Sequence, residues 1–209
     1  MASSTPRLWV LLPSLLGLAS LRCSVGGVGD PCIPEDEYQK AFSGYSVEET
    51  NVESRSFQCE TRVCLVNHFQ GRVSCPYGQA QGDIAGCRDN FDLHRCCKIP
   101  GTIGGGDDAV IATVQAQKAG RRPDRSVYCS CRCANVDGKT NDGASYCDCP
   151  SGYQCKQLIP NLQLGELQLA GSYCIKSGTE FKVTDKAGVE CTPAAPPDTG
   201  GSCGPKQPN

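Results

Sequence analysis

The stretch VYCSCRCANVDGKTNDGASYCDCPSGYQC, from Val127 to Cys155, decides how this chain is read. Six cysteines (Cys129, Cys131, Cys133, Cys147, Cys149 and Cys155) fall within 27 positions. Cys129, Cys131 and Cys133 alternate, as do Cys147 and Cys149, so in extended backbone each set lies on one face. The intervening ANVDGKTNDGASY is rich in Asn, Asp and Gly, the residues of tight turns. The pattern predicts a hairpin-like pair whose two cysteine faces meet in cross-strand disulfides.

Two other chemistries compete for the same residues. Clustered thiolates suit zinc or copper. The spacing here is C-x-C, however, and disulfides are the ordinary fate of cysteines in an exported chain. NVDGKTNDG has some features of a calcium loop, with Cys133, Asn135 and Asp137 at the first, third and fifth ligand positions. Cys133 is a poor oxygen substitute and no Glu closes the loop, so a plain turn is the simpler reading.

Working outward, the cysteines continue along the chain. There are 17 in 209 residues, about 8 %, the level of a disulfide scaffold. Cys32, Cys59, Cys64, Cys75, Cys87, Cys96, Cys97, Cys129, Cys131, Cys133, Cys147, Cys149, Cys155, Cys174, Cys191 and Cys203 are the disulfide candidates. Adjacent Cys96 and Cys97 would strain the peptide if bonded to each other, so they should reach different partners. Cys191 and Cys203 form the obvious local pair in the Pro/Gly-rich end of the chain.

The remaining cysteine, Cys23, belongs to the start. Arg7 precedes an apolar run, Leu8 to Leu21, of 14 residues. A bilayer span needs about 20, and one positive charge before a short apolar run is the layout of an export signal. Small-x-small sites occur at Gly17-Leu18-Ala19 and Ser24-Val25-Gly26. Cys23 is also a lipidation candidate, although Arg22 stands where a bacterial lipobox has Gly, Ala or Ser. Either lipidation of Cys23 or cleavage after it leaves an even 16 cysteines to pair.

The chain beyond the signal cannot build a large core. Residues 27–209 hold 31 Leu, Ile, Val and Phe, about 17 %, below the roughly 20 % of ordinary globular chains. Their net charge of about −4 is too small for the highly charged disordered class. Cross-links reconcile the two facts, each contributing about 2–4 kcal/mol by restricting the unfolded chain. The predicted fold is therefore small, disulfide-rich and mainly β, made of short hairpins with extensive loops and little helix outside the signal.

The expected organisation is an export signal over 1–26, an N-terminal cysteine-rich lobe over 27–100, and a Gly-rich break and connector over 101–126. A C-terminal cysteine-rich lobe over 127–191 and a Pro/Gly-rich tail over 192–209 complete it. Short strands are expected around Val63, Leu65 and Val73 with a turn at Gln70-Gly71, and an extended connector ending near Pro123, with a short helix over Ala109–Ala119 as the alternative. A hairpin is expected over Leu162–Leu169, turning at Gly165-Glu166. Seven candidate cysteines precede the break and nine follow it; both numbers are odd, so at least one bond must cross it.

Functional signals are sparse. The formal net charge of −2 gives no field for nucleic acid. His68 and His94, the only two histidines, sit in no nucleophile motif, and G-x-S-x-G is absent. No cofactor motif, catalytic residue or metal ligand is assigned, and a non-catalytic protein is expected. Tyr38, Tyr45, Tyr77, Tyr128 and Tyr153 are candidate contact anchors if exposed, though packing over a disulfide is the simpler role for each.

Two resemblances add to this reading. CDCPSGYQC, Cys147 to Cys155, resembles the end of an EGF-like module, which also uses C-x-C followed by Gly and an aromatic. The match covers nine residues, its last interval is short, and it carries over neither calcium nor receptor binding. The signal, the SVGGVGD tether, GDPCIPEDE, C-x4-C-L and the repeated cysteine clusters resemble cysteine-rich exported proteins and predicted lipoproteins of myxobacteria. That resemblance implies a bacterial cell-envelope or extracellular location, an extracellular or envelope ligand, and membrane contact only through an N-terminal lipid. The expectation is an exported binding or structural protein; a secreted enzyme, a protease inhibitor and a thiolate metal binder are the alternatives.

Overall fold

Val63–Asn67 is the strand on which the molecule is organised, because both of its faces are covered. In the computed structural model, which describes residues 26–92, 94–160, 169–193 and Cys203, this strand is β2. β1 (Thr50–Glu53) and β3 (Val127–Ser130) pair with it antiparallel on either side. Cys64 and Val66, opposite Cys129 and Val127, face a core of Cys32, Tyr45, Cys59, Phe69 and Val73. Leu65, opposite Tyr128, points the other way and packs on Ile175. The two-residue period of a strand thus uses β2 to join two clusters.

Ile175 belongs to a second antiparallel sheet. There β6 (Gly171–Lys176) lies between β4 (Arg132–Ala134) and β5 (Tyr153–Ile159). The predicted turn at Gly165-Glu166, which falls between β5 and β6, lies outside the described residues, as do positions 1–25 of the export signal, Cys23 included. Among the described residues, helix is confined to α1 (Ile84–Asp89), the single turn α2 (Pro123–Ser126) and short 3-10 turns such as Glu35–Tyr38 and Val183–Ala187. The fold is small, disulfide-rich and mainly β. Among the described residues no helix is long and apolar enough to cross a membrane.

The alternating run Cys129-Cys131-Cys133 does not form one strand with one cysteine face. The chain changes sheets at Cys131, between β3 and β4, and this break sends Cys129 to one bonding group and Cys131 and Cys133 to another. Nor do Val63 and Val73 form a hairpin. After β2, Gly71 exchanges two backbone hydrogen bonds with Tyr45, each 2.9 Å, and turns the chain away. Gly71 has φ +82°, and a Cβ there would strike the Gln115 carbonyl, so both the backbone and the packing require glycine.

Connections that lack a ladder are held by buried polar side chains. The Arg72 guanidinium donates to the carbonyls of Glu37, Gln39 and Phe42. The buried Glu37 carboxylate accepts from the backbone N–H groups of Val73 and Ser74 and from the Ser74 hydroxyl. Burial pushes the Glu37 pKa above its ordinary value, against the opposing pull of Ser74, Val73 and Arg72. Gln79 donates to Val110 and Ala112 and accepts from the Cys97 N–H, fixing the extended connector beside the loop that carries Cys97. Arg121 donates to Asn67, His68 and Thr179, tying the end of β2 to the segment beyond β6. Backbone groups that cannot find sheet partners still need partners when buried, and these side chains supply them.

Candidate functional site

Eight disulfides close the described cysteines: Cys32–Cys64, Cys59–Cys129, Cys75–Cys97, Cys87–Cys96, Cys131–Cys147, Cys133–Cys155, Cys149–Cys174 and Cys191–Cys203. Cys96 and Cys97 reach different partners. Cys59–Cys129 alone crosses the Gly-rich break, with a sequence separation of 70 residues. Loop-closure entropy makes it the most stabilising of the eight, at about 4 kcal/mol.

Three of these bonds form one cluster in the C-terminal sheet. Cys131 comes from the bend between β3 and β4, Cys133 from β4, Cys155 from β5 and Cys174 from β6. Cys147 and Cys149 come from the irregular segment before β5, so the predicted second strand of cysteines is replaced by a loop. Cys155 and Cys174 are register partners on neighbouring strands, yet each bonds elsewhere. Cys133–Cys155 joins the two edge strands of the sheet. Cys149–Cys174 ties the loop to the central strand.

Cys174 is the hub. Its Sγ lies 3.6 Å from Sγ of Cys131 and 3.8 Å from Sγ of Cys147. Its N–H donates to the Cys131 carbonyl at 3.1 Å, so the two backbones are direct neighbours. Cys174 is fully buried, whereas Cys147 and Cys149 are half-buried and Cys155 is exposed. The dense run points to this region, but nothing in the spacing brings in Cys174 from the far side of β5. The one sequence signal was the apolar flank of SYCI, which is wholly buried.

The sulfur groups that would suit a metal, Cys131/Cys147/Cys174 and Cys133/Cys149/Cys174, each contain a disulfide already. In the NVDGKTNDG loop, the Asn135 side-chain oxygen accepts from the N–H groups of Asp137 and Lys139. The exposed Asp142 carboxylate accepts from Asn135, Tyr146 and Ala144, which hold its pKa down at about 2. These oxygens organise a turn.

The two imidazoles have different surroundings. His68 stacks on Phe181 at 4.0 Å between ring centres and shares a hydrogen bond of 3.0 Å with the Val47 carbonyl. Burial lowers its pKa. His94 is exposed and stacks loosely with Tyr77. The five tyrosines also separate. Tyr45 and Tyr128 are buried, so they are core residues and not contact anchors; burial pushes the Tyr128 hydroxyl up to about 12. Tyr77 and Tyr153 are half-buried and Tyr38 is exposed. Among the described residues, the most exposed large apolar side chains are instead Ile103 (88 %) and Phe57 (80 %). Ile103 projects from the Gly-rich break, whose base is fixed by Lys98 pairing with Ala109 and by the Cys75–Cys97 bond.

Comparison with protein-family models, curated proteins and solved structures finds no match to this chain.

Proposed function

We propose that this is an exported, disulfide-stabilised protein with a binding or structural role at the bacterial cell surface or in the surrounding medium. The observation that carries the reading is the closure of all 16 described cysteines into eight bonds around a core poor in aliphatic side chains. Such bonds persist in oxidising compartments. They also make loops rigid before a partner arrives, which lowers the ordering cost of binding. Phe57, exposed in the turn just before Cys59, and Ile103, exposed in the Gly-rich break, are the side chains assigned to partner contact. The protein is read as non-catalytic, with Cys23 as the residue that would carry a lipid in the anchored form.

Fractionation of the producing cells, followed by intact mass of the purified protein before and after reduction, tests this directly. The expected result is an envelope or extracellular protein that gains about 16 hydrogens on reduction. Its N-terminal mass reports cleavage or lipid. Recovery from the cytoplasm with mostly free thiols would remove the reading, as would turnover in a hydrolase screen.

A further inference from the structure

We propose that the C-terminal cluster is a thiol–disulfide exchange site, in which an external thiol leaves Cys147-Asp148-Cys149 as an accessible dithiol and moves the internal bond to Cys131–Cys174. Two independent observations support it. The first is sulfur contact. Sγ of Cys174, in one disulfide, touches both sulfurs of another, at 3.6 Å and 3.8 Å. Exchange proceeds by attack of a thiolate on a disulfide sulfur, so a thiolate formed at Cys131 already adjoins its target. The Cys174 N–H to Cys131 carbonyl bond keeps the two backbones adjacent. The new bond therefore calls for side-chain rotation and no chain rearrangement.

The second observation is access. Cys32–Cys64, Cys59–Cys129, Cys75–Cys97 and Cys87–Cys96 have every partner 3 % exposed or less. In the C-terminal cluster, Cys147 and Cys149 are half-buried and open to attack. Cys155 is exposed as well, so an external thiol can meet Cys155, Cys147 or Cys149, while the hub Cys174 is reached only from inside; attack at Cys147 is the route that frees Cys131, whose Sγ lies 3.6 Å from Cys174.

The steps balance. A thiolate RS⁻ attacks Sγ of Cys147, the Cys131–Cys147 bond breaks, and Cys131 leaves as a thiolate. Cys131 attacks Sγ of Cys174, the Cys149–Cys174 bond breaks, and Cys149 leaves as a thiolate into a half-exposed position. A second RSH attacks the mixed disulfide on Cys147, giving RSSR and the Cys147 thiol. Two RSH are oxidised to RSSR, one protein disulfide is reduced, and the two protons end on Cys147 and Cys149. The substrate class is a small or protein thiol in the forward direction and a disulfide in reverse.

The test treats the oxidised full-length protein with one equivalent of dithiothreitol. Acid quenching, alkylation with N-ethylmaleimide, digestion and mass mapping of labelled and cross-linked peptides follow. The expected result is label on Cys147 and Cys149 together, about tenfold above any cysteine of the four sealed bonds, with a new Cys131–Cys174 cross-link. Label on Cys131 with Cys147, or on Cys149 with Cys174, with the other native bond intact, overturns the proposal. So does label on Cys133 with Cys155 in place of Cys147 and Cys149, or label spread evenly over the chain. No variant is needed, so misfolding cannot obscure the outcome. A protein that proves exported yet shows either adverse pattern loses only this inference.

Discussion

Among the described residues, disulfides approach one another closely in both sheets, as one pair in the N-terminal sheet and as two pairs sharing Cys149–Cys174 in the C-terminal sheet. In the N-terminal sheet, Cys32 of one bond lies beside Cys59 and Cys129 of another, and all three are buried under Tyr45, Phe69 and Val73. In the C-terminal sheet, Cys131–Cys147 and Cys149–Cys174 meet at comparable range, but one edge of the group faces water. The first sheet has apolar side chains to lay over its sulfurs. The second has β5, which is largely exposed, and a polar turn-rich loop. The same cross-link is therefore a core element in one place and a reachable functional group in the other. What separates them is the supply of apolar cover, not the sulfur geometry.

Removing a disulfide from each sheet separates the two sheets most strongly. The double substitution Cys59→Ala/Cys129→Ala opens a 70-residue separation and should cost about 4 kcal/mol. Cys133→Ala/Cys155→Ala, with a separation of 22, should cost about 3 kcal/mol. Urea denaturation of both variants measures the ranking, which fails if the exposed bond matters more.

Glu37 tests whether the N-terminal side depends on polar clamps as well as sulfur. Glu37→Ala strands two backbone N–H groups and the Ser74 hydroxyl and should cost about 3 kcal/mol, with Glu37→Gln milder. The pH dependence has a definite sign. The folded pKa of Glu37 is raised above its ordinary 4.5, so the folded state binds the proton more tightly than the unfolded state does. The stability of the native chain relative to Glu37→Gln is then fully present below pH 4.5, and declines as pH rises through the folded pKa. Parallel denaturation series from pH 4 upward should show that decline; a rise would contradict it.

Gly71→Ala probes the same side without touching a cysteine. A Cβ at φ +82° would meet the Gln115 carbonyl, so a loss of about 2 kcal/mol is expected in thermal denaturation. The smallest effect belongs to Ile103→Ser. That side chain is 88 % exposed, and its replacement should leave stability within about 0.5 kcal/mol. If Ile103 contacts a partner, binding to the producing cells' surface fraction should fall while the melting temperature stays put.

Much of the class is legible in the composition alone. Cysteine abundance and scarce aliphatics gave the scaffold, Cys96-Cys97 gave two partners for two neighbours, and odd counts on each side of the break required a crossing bond. The candidate site was only half readable. Alternation of Cys129, Cys131 and Cys133 is a local signal, and it could not foresee that the chain leaves one sheet for another at Cys131. Tyr45 and Tyr128 are polar enough to sit at a surface, and only the neighbours brought by β2 and β6 bury them.

Composition and parity set how many sulfurs could pair and required cross-links to do much of the work of a core. Both are independent of arrangement. Which sulfurs meet, which are sealed, and how Arg72, Glu37 and Arg121 are hydrogen-bonded follow from the three-dimensional packing. Each of those contacts joins residues far apart along the chain, and their distances are set by packing that no local pattern encodes.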